Sequence, residues 1–433
     1  MQKENRGGVL HIDGCSIEEL AREYATPLYV LSETEIVNRF TELKRTFLEK
    51  YENTRVAYAC KALCTTAMIK LCEREGVCID VVSGGELYTA IEAGFPSAHI
   101  EFNGNNKLPA EIEMAVDYNI GRIIVDGLQE LELVERICKK KNRKMKILIR
   151  VTPGVAADSH DYIITGKKDS KFGVPVDEDV LYPLVLKSIR SPHLDFLGFH
   201  FHIGSQLFDN SVYLQAIDII LDKAKDIREK YGYTIQELNL GGGYGATYTN
   251  EQRRPFSYFL DPMMKRIQEF CAEQRMKVPA VVIEPGRSIV AEAGLTVYTI
   301  GTIKEIKGVR KYVSVDGGMG DNIRPALYQA EYDGVVANKM NEPCTDKVTV
   351  CGKYCESGDL LIKNIEIPAN TVAGDLFAVY STGAYGYAMA SNYNNNPIPA
   401  MVLVKEGESS VIVMRQSYED VIRNNVTPDY WGK

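Results

Sequence analysis

Nowhere in the 433-residue sequence do ~18 apolar residues run together, so no helical membrane span is expected. The opening "MQKENRGGVLHIDG" has no apolar centre of a secretory signal, and a cytoplasmic location follows as the expectation. Basic runs are scarce as well. The longest, "KKKNRK" at 139–144, falls where a helix should end and cations are favoured in any case. With a net charge of -8, no nucleic-acid partner is expected. The ten cysteines are scattered and no export signal accompanies them, which reads as reduced thiols rather than disulfides. Two Cys-x-x-x-Cys pairs, Cys60/Cys64 and Cys351/Cys355, have no nearby histidine and no second pair, so no metal site is expected. Low-complexity tracts and internal repeats are also missing.

What is present is the composition of a globular protein, 45% apolar and 25% charged. A single core stops growing near about 250 to 300 residues, so two domains are expected. Between residues 55 and 287 eight short apolar runs recur: "RVAYAC", "VCIDVVS", "HIEFNG", "RIIVDG", "KILIRVTP", "FLGFHFHIG", "ELNLGGGYG" and "AVVIEPGR". Segments of helical periodicity, such as "LPAEIEMAVDYN" and "LQELELVERICKKK", separate most of them. Eight βα units over this length match an α/β fold of the (β/α)8, TIM-like barrel type. An open doubly wound sheet shares the alternation, but it would carry G-x-G-x-x-G after its first strand, and here the glycines are consecutive and late. Beyond Arg287 the chain turns to β-rich segments without such helices, and the first residues hold two more strand-like pieces. The expected domains are a barrel over 35–287 and a second, mainly antiparallel β domain from 1–34 plus 288–433.

Barrel chemistry sits at the C-terminal ends of the strands, and these ends are polar: Lys61, Asp80, Asn103, Asp126, Arg150, His202, Gly241 to Gly243, and Glu284 with Arg287. Lys61 interrupts an apolar run. Apolar surroundings would favour its neutral amine, as carbonyl condensation requires, although a lysine at a strand end also snorkels for no chemical reason. "GGGYG" at 241–245 can present bare backbone N–H groups to a phosphate, and "EPGR" at 284–287 repeats the arrangement one strand later; each could also be only a tight turn. A lysine together with two such strand ends points to a phosphorylated carbonyl cofactor, and pyridoxal phosphate meets both demands. Glu284 is placed to hold a ring nitrogen protonated, His202 to stack on a ring or to sit satisfied in the core, and Ser205 to reach the phosphate. In the second domain, "CGKYCESGD" sets Cys355, Glu356 and Asp359 on one loop and "STGAYGYAMASNYN" carries Tyr385. A neighbouring carboxylate raises a thiol pKa, so Cys355 suits a proton donor better than a nucleophile.

These stretches carry a family resemblance. "YACKAL", "DVVSGGEL", "GNNK", "DSKFG", "HFHIGSQ", "LNLGGGYG", "EPGRSIVAEAG", "DGGMGDNIRPALY", "CESGDLL" and "AYGYAMASNYN" span nearly the whole chain. In combination they resemble the diaminopimelate decarboxylase family, within the fold-type III pyridoxal phosphate decarboxylases. The resemblance implies Lys61 as the Schiff-base lysine with Asp80 near it, His202 on the cofactor and Glu284 at the pyridine nitrogen. It implies Ser205, the Gly241–Gly243 turn and the backbone around Gly286 and Arg287 as the phosphate grip. For substrate it implies Arg287, Arg324, Tyr328 and Glu356, with Tyr385 touching cofactor and substrate and Cys355 as proton donor. A homodimer with active sites at the subunit interface is implied too. Three positions depart from the family pattern: Leu63 stands where asparagine is common, Cys351 where glycine is, and Asp158 where histidine is frequent.

The implied reaction is decarboxylation of meso-2,6-diaminopimelate at its D-centre, giving L-lysine and CO2 as the last step of lysine biosynthesis. The charges agree, because the distal end of that substrate needs cations for its carboxylate, Arg287 and Arg324, and an anion for its ammonium, Glu356. Another basic amino acid, D-ornithine, D-lysine, ornithine or lysine, is the alternative substrate on the same scaffold. An inert regulatory relative should have lost Lys61 or the Cys355 loop, and a racemase would need neither that cysteine nor the distal arginines.

Overall fold

The structure, a computed structural model, describes residues 3–155 and 170–432; Asp158 and most of the 155–170 loop lie outside the described residues. The chain divides into two compact units, one of Val37–Ala246 and Gln252–Ile289, the other of Met1–Ile36, Thr247–Glu251 and Val290–Lys433.

The first unit is a closed parallel barrel. Its strands are β1 (Thr54–Ala59), β2 (Cys78–Val81), β3 (Ile100–Phe102), β4 (Arg122–Val125), β5 (Met145–Thr152), β6 (Leu194–His200), β7 (Glu237–Asn239) and β8 (Ala280–Ile283). They pair in the order β5-β6-β7-β8-β1-β2-β3-β4, and β4 pairs back onto β5 to close the ring. β-Branched runs such as "RIIV" and "AVVI" suit strands buried on both faces, and every residue of β4 and β8 is buried. The intervening helices carry ordinary start and stop signals. Thr65 and Ser83 cap helices Thr66–Arg74 and Gly84–Glu92 by accepting from Met68 N and Glu86 N, and Gly232 closes Ser211–Tyr231 in the left-handed conformation.

The second unit is a mixed, mainly antiparallel sheet. Its long strand Gly294–Ile306 pairs antiparallel with Leu28–Ser32, Arg310–Val315 and Leu376–Tyr380. Two ladders are parallel, Leu28–Ser32 on Ala400–Lys405 and Arg310–Val315 on Cys344–Cys351. Alternate residues of these strands, including Leu28, Val30, Leu295, Val297, Ala378 and Val402, form one buried core. Each such side chain contributes roughly 1.5–3 kcal/mol by leaving water. No described helix is long and apolar enough to cross a membrane.

Candidate active site

The barrel interior holds a column of polar side chains built by the two-residue period of its strands. Glu101 with Asn103, His200 with His202, and Glu237 with Asn239 lie two apart at β3, β6 and β7, so each pair shares one face. Asn103, His200 and Asn239 converge on Glu284, just past β8 and only 7% exposed. Its Oε1 accepts from Asn103 Nδ2 at 3.0 Å and Asn239 Nδ2 at 2.8 Å, and its Oε2 is 3.0 Å from His200 Nε2. Burial opposes a charge on Glu284, but the bond to His200 and the Lys61 ammonium outweigh it and hold the carboxyl well below its usual range. His200 is drawn toward a proton by Glu284 and away from one by burial. Burial dominates, so near neutral pH a neutral imidazole donates to an ionised carboxylate. Asp80 is buried and accepts the other Asn103 N–H at 2.7 Å. Burial first, then the charge on Glu284, pushes its pKa well up, so of these two carboxyl groups Glu284 keeps the charge.

Lys61 follows β1 on a single 3-10 turn, Cys60–Ala62. The sequence suggested an apolar setting for it, and the structure corrects this. Lys61 is exposed, and its charge acts on Asp80, Glu86, Glu284, His200 and His202. The cause is that its neighbours along β1 are apolar while the next strands present their polar ends toward it. Glu86 accepts from Val82 N at 2.8 Å, and burial raises its pKa to about 7.

The glycine turn after β7 is built for close approach. Gly241 and Gly243 have φ of 67° and 110°, and a Cβ on Gly241, Gly242 or Gly243 would overlap the carbonyls of Phe201, Glu284 and Gly204 respectively. Two of the three expected amide donors are already engaged: Gly241 N bonds to Asn239 Oδ1 at 2.9 Å and Gly242 N to His202 Nδ1 at 3.2 Å. Among the described residues Gly243 N has no protein acceptor, so it is the amide of the three left for an anion. Burial, then Lys61, lowers the His202 pKa well below its ordinary value, which suits the neutral ring that accepts at Nδ1. Nearby, Arg287 is buried and its Nε and Nη2 both lie 3.1 Å from Ser205 Oγ. Gly286 is packed against Ala59 and Ala62, leaving no room for a side chain, and among the described residues the buried hydroxyl of Ser288 has no hydrogen-bond partner. A side-chain-free turn with an uncommitted amide, an orphaned hydroxyl and a buried guanidinium fits a phosphate ester. An ionised, clamped carboxylate fits a protonated ring nitrogen.

In the β-rich unit, Arg324 opens helix Arg324–Tyr328 and is buried. Its Nε donates to Tyr332 Oη at 2.8 Å, and its guanidinium carbon lies 5.5, 5.5 and 5.8 Å from the ring centres of Tyr248, Tyr328 and Tyr385. Tyr385 itself has φ of 60°, a left-handed conformation uncommon for an aromatic residue. Cys355 and Glu356 are both exposed. Their loop is fixed from beneath by buried Asp359, which accepts from Met319 N at 2.7 Å and Tyr354 N at 2.9 Å, while Cys355 N donates to Asn394 Oδ1. Asp359 therefore shapes the loop. Of the departures from the family pattern, Leu63 offers its carbonyl to Tyr58 Oη at 3.0 Å, and the Cys351 sulfur lies 3.4 Å from Ser314 Oγ.

The structure thus gathers Lys61, Asp80, His202, Ser205, Gly241–Gly243, Glu284, Gly286 and Arg287 in the barrel, and Arg324, Tyr328 and Tyr385 around one guanidinium in the β-rich unit. Reading the sequence missed His200, Glu86, Asn239, Tyr248 and Tyr332. The period-two polar pairs "HFH" and "ELN" were the available signal for His200 and Asn239. Nothing local marks Tyr248, which reaches Arg324 from a separate segment, whereas Tyr332 follows closely after the helix that Arg324 opens.

A lysine, a clamped carboxylate and a phosphate-sized glycine turn at the C-terminal ends of barrel strands define a pyridoxal-phosphate-dependent enzyme of the barrel type. In agreement, the family "Pyridoxal-dependent decarboxylase, pyridoxal binding domain" matches residues 33–291. The chain is 45% identical over 423 residues to diaminopimelate decarboxylase of Bacillus subtilis, covering 97% of this chain and 96% of that one. It is 47% identical over 415 residues to diaminopimelate decarboxylase of Bacillus methanolicus, covering 96% of each. The crystal structure of diaminopimelate decarboxylase from M. jannaschii in complex with L-lysine superposes with a TM-score of 0.93 at 34% identity, covering 99% of this chain and 98% of that one. The chain belongs to the diaminopimelate decarboxylase family, and its cofactor is pyridoxal 5'-phosphate.

Proposed function

We propose that this enzyme decarboxylates meso-2,6-diaminopimelate at its D-centre, releasing CO2 and L-lysine, and that it works in the cytoplasm as a homodimer with active sites at the subunit interface. The observation that carries the reading is Glu284, held ionised by Asn103, Asn239 and His200 within reach of the Lys61 charge. When bound, pyridoxal 5'-phosphate supplies an aldehyde that amines can capture and a ring that accepts the electron pair left by departing CO2.

The chain's own residues do the rest. Lys61 would be the amine that holds the aldehyde. Glu284 would keep a proton on the ring nitrogen, and the bonds from Asn103, Asn239 and His200 stop that carboxylate from turning away. Ser205, Gly243, Gly286 and Arg287 would hold the phosphate end, and Asp80 and His202 would line the cofactor. Arg324, fixed by Tyr332 and flanked by Tyr328 and Tyr385, is preorganised to take a carboxylate in a forked pair, while Glu356 offers an anion for the distal ammonium. Cys355 then delivers a proton to the carbon that has lost its carboxylate. Support for the dimer comes from exposure: Cys355, Glu356, Tyr418, Ile422, Tyr430 and Trp431 all lie on the surface of the single chain.

The test is incubation of the loaded enzyme with meso-diaminopimelate, following CO2 and lysine, beside D-ornithine, D-lysine and the Lys61→Ala variant. The expected result is one CO2 per lysine from diaminopimelate alone, with Lys61→Ala losing both turnover and the visible absorption of bound cofactor. Racemised but otherwise unchanged substrate would overturn the decarboxylase reading.

A further inference from the structure

The opposite end of the barrel, at the N-terminal starts of its strands, holds a cavity of about 560 Å³ that the reaction does not use. Among the described residues its lining carries six cationic side chains, Arg55, Arg122, Lys146, Arg228, Arg275 and Lys277, and a single carboxylate, Glu237. In a chain of net charge -8 such a concentration does not follow from composition. Helix ends, where cations gather by default, account for only half of it. Arg228 lies in the last turn of helix Ser211–Tyr231 and donates to Gln274 O at 2.8 Å, and Arg275 and Lys277 follow the end of helix Phe256–Glu273, but Arg55, Arg122 and Lys146 begin or lie near the start of strands.

The inner pair is partly neutralised and the outer three are not. Arg55 pairs with Glu237, and Arg122 with Glu101 and Glu237. Arg55 Nε is nevertheless buried, with no hydrogen-bond partner among the described residues. Among the described residues, Lys146, Arg275 and Lys277 have no ion-pair partner, and all three are exposed at the rim. Like charges around a concave, partly apolar wall repel one another unless an anion sits between them.

We propose that this mouth of the barrel binds a small, multiply charged oxyanion, a phosphorylated or polycarboxylated metabolite. The outer cations would neutralise it and Arg55 would reach it from below. The site also has a route to the chemistry: Arg122 pairs with Glu101, Glu101 Oε2 accepts from Asn239 at 2.8 Å, and Asn239 donates to Glu284 at 2.8 Å. An anion that draws Arg122 from Glu101 changes the support of Glu284, so occupancy alters kcat. That last consequence rests on the decarboxylase reading; binding does not.

The experiment uses the holoenzyme, whose cofactor phosphate site is already filled. Pyrophosphate and citrate are titrated separately by calorimetry and by thermal unfolding. The probes are run on the wild type, on Lys146→Gln/Arg275→Gln/Lys277→Gln at the rim, and on the equal charge change Lys304→Gln/Lys307→Gln/Lys363→Gln in the β-rich unit. The expected result is saturable binding of one anion per chain with a rise in melting temperature, weakened at least tenfold by the rim variant and unchanged in the other. Preference for pyrophosphate or for citrate identifies the oxyanion class. Binding of both probes weaker than about 1 mM to wild type overturns the site, and so does an equal loss in the two variants. Should meso-diaminopimelate not be turned over, the titrations still decide the site.

Discussion

Asn239 Nδ2 lies 2.8 Å from Glu284 Oε1 and 2.8 Å from Glu101 Oε2, so one carboxamide ties the carboxylate of the candidate active site to the ion pairs at the base of the barrel. Truncation by Asn239→Ala removes a donor from both charges. A hydrogen bond to a charged group is worth roughly 1.5–3 kcal/mol, or about 10- to 100-fold in rate. The expected outcome is a fall of that size in kcat with little change in KM, together with a shift in the visible absorption of bound cofactor. Steady-state kinetics beside the spectrum check it; an unchanged spectrum and kcat would show that Glu284 needs no such support.

Arg324 should read the distal carboxylate of the substrate. Arg324→Ala is expected to lower kcat/KM for meso-diaminopimelate by about 10- to 100-fold, the scale of one charge-assisted pair. Arg324→Lys should recover little, because an ammonium cannot make the forked contact or the same stacking among tyrosines. Any slow turnover of lysine or ornithine, which lack a second carboxylate, should be untouched. Equal losses for all substrates would mean that Arg324 serves the fold instead.

Cys355 is exposed, and its backbone rather than its thiol secures the loop. Cys355→Ala should therefore leave the melting temperature nearly unchanged while kcat falls by about 10²- to 10⁴-fold, the usual range for a lost general acid. The solvent deuterium isotope effect on kcat should rise as protonation becomes slow. A kcat within twofold of wild type would assign the proton to another group.

Asp321 offers a test of stability against pH. Burial raises its pKa from 3.8 to about 7, against the bond from Gly318 N. The folded chain thus keeps a proton that the unfolded chain has lost, and the contribution of this residue to stability falls as pH rises from about 4 to about 7. Denaturant melts across that window should show Asp321→Asn with a flatter profile than wild type, the difference amounting to a few kcal/mol on the order of magnitude of the shift. Parallel profiles would place the shift elsewhere.

The eight-stranded barrel could be read from the chain because its strands are short β-branched runs that alternate with amphipathic helices, and the polar residue that ends each run marked the chemical face. Lys61, Glu284 and the glycine turn came out of that pattern. Two kinds of fact did not. Where a backbone amide is already spent, as at Gly241 and Gly242, the turn looks the same in sequence as one with every donor available, since the acceptors Asn239 and His202 are set by three-dimensional packing. Around Arg324, Tyr328 and Tyr332 are local, but Tyr248 comes from a distant segment and nothing near it in the sequence marks it as a neighbour of this guanidinium. Lys61 was expected among apolar neighbours because its own strand is apolar, yet the adjoining strand ends decide its surroundings.

The strand Leu28–Ser32 is made early in synthesis, yet its two ladders run to Gly294–Ile306 and Ala400–Lys405, both of which emerge after all eight barrel strands. The barrel can close on the ribosome while this apolar segment still waits, every residue of it destined for burial. For the length of that wait the nascent chain carries an unpaired, sticky edge, and a cell that makes this protein quickly must shield it.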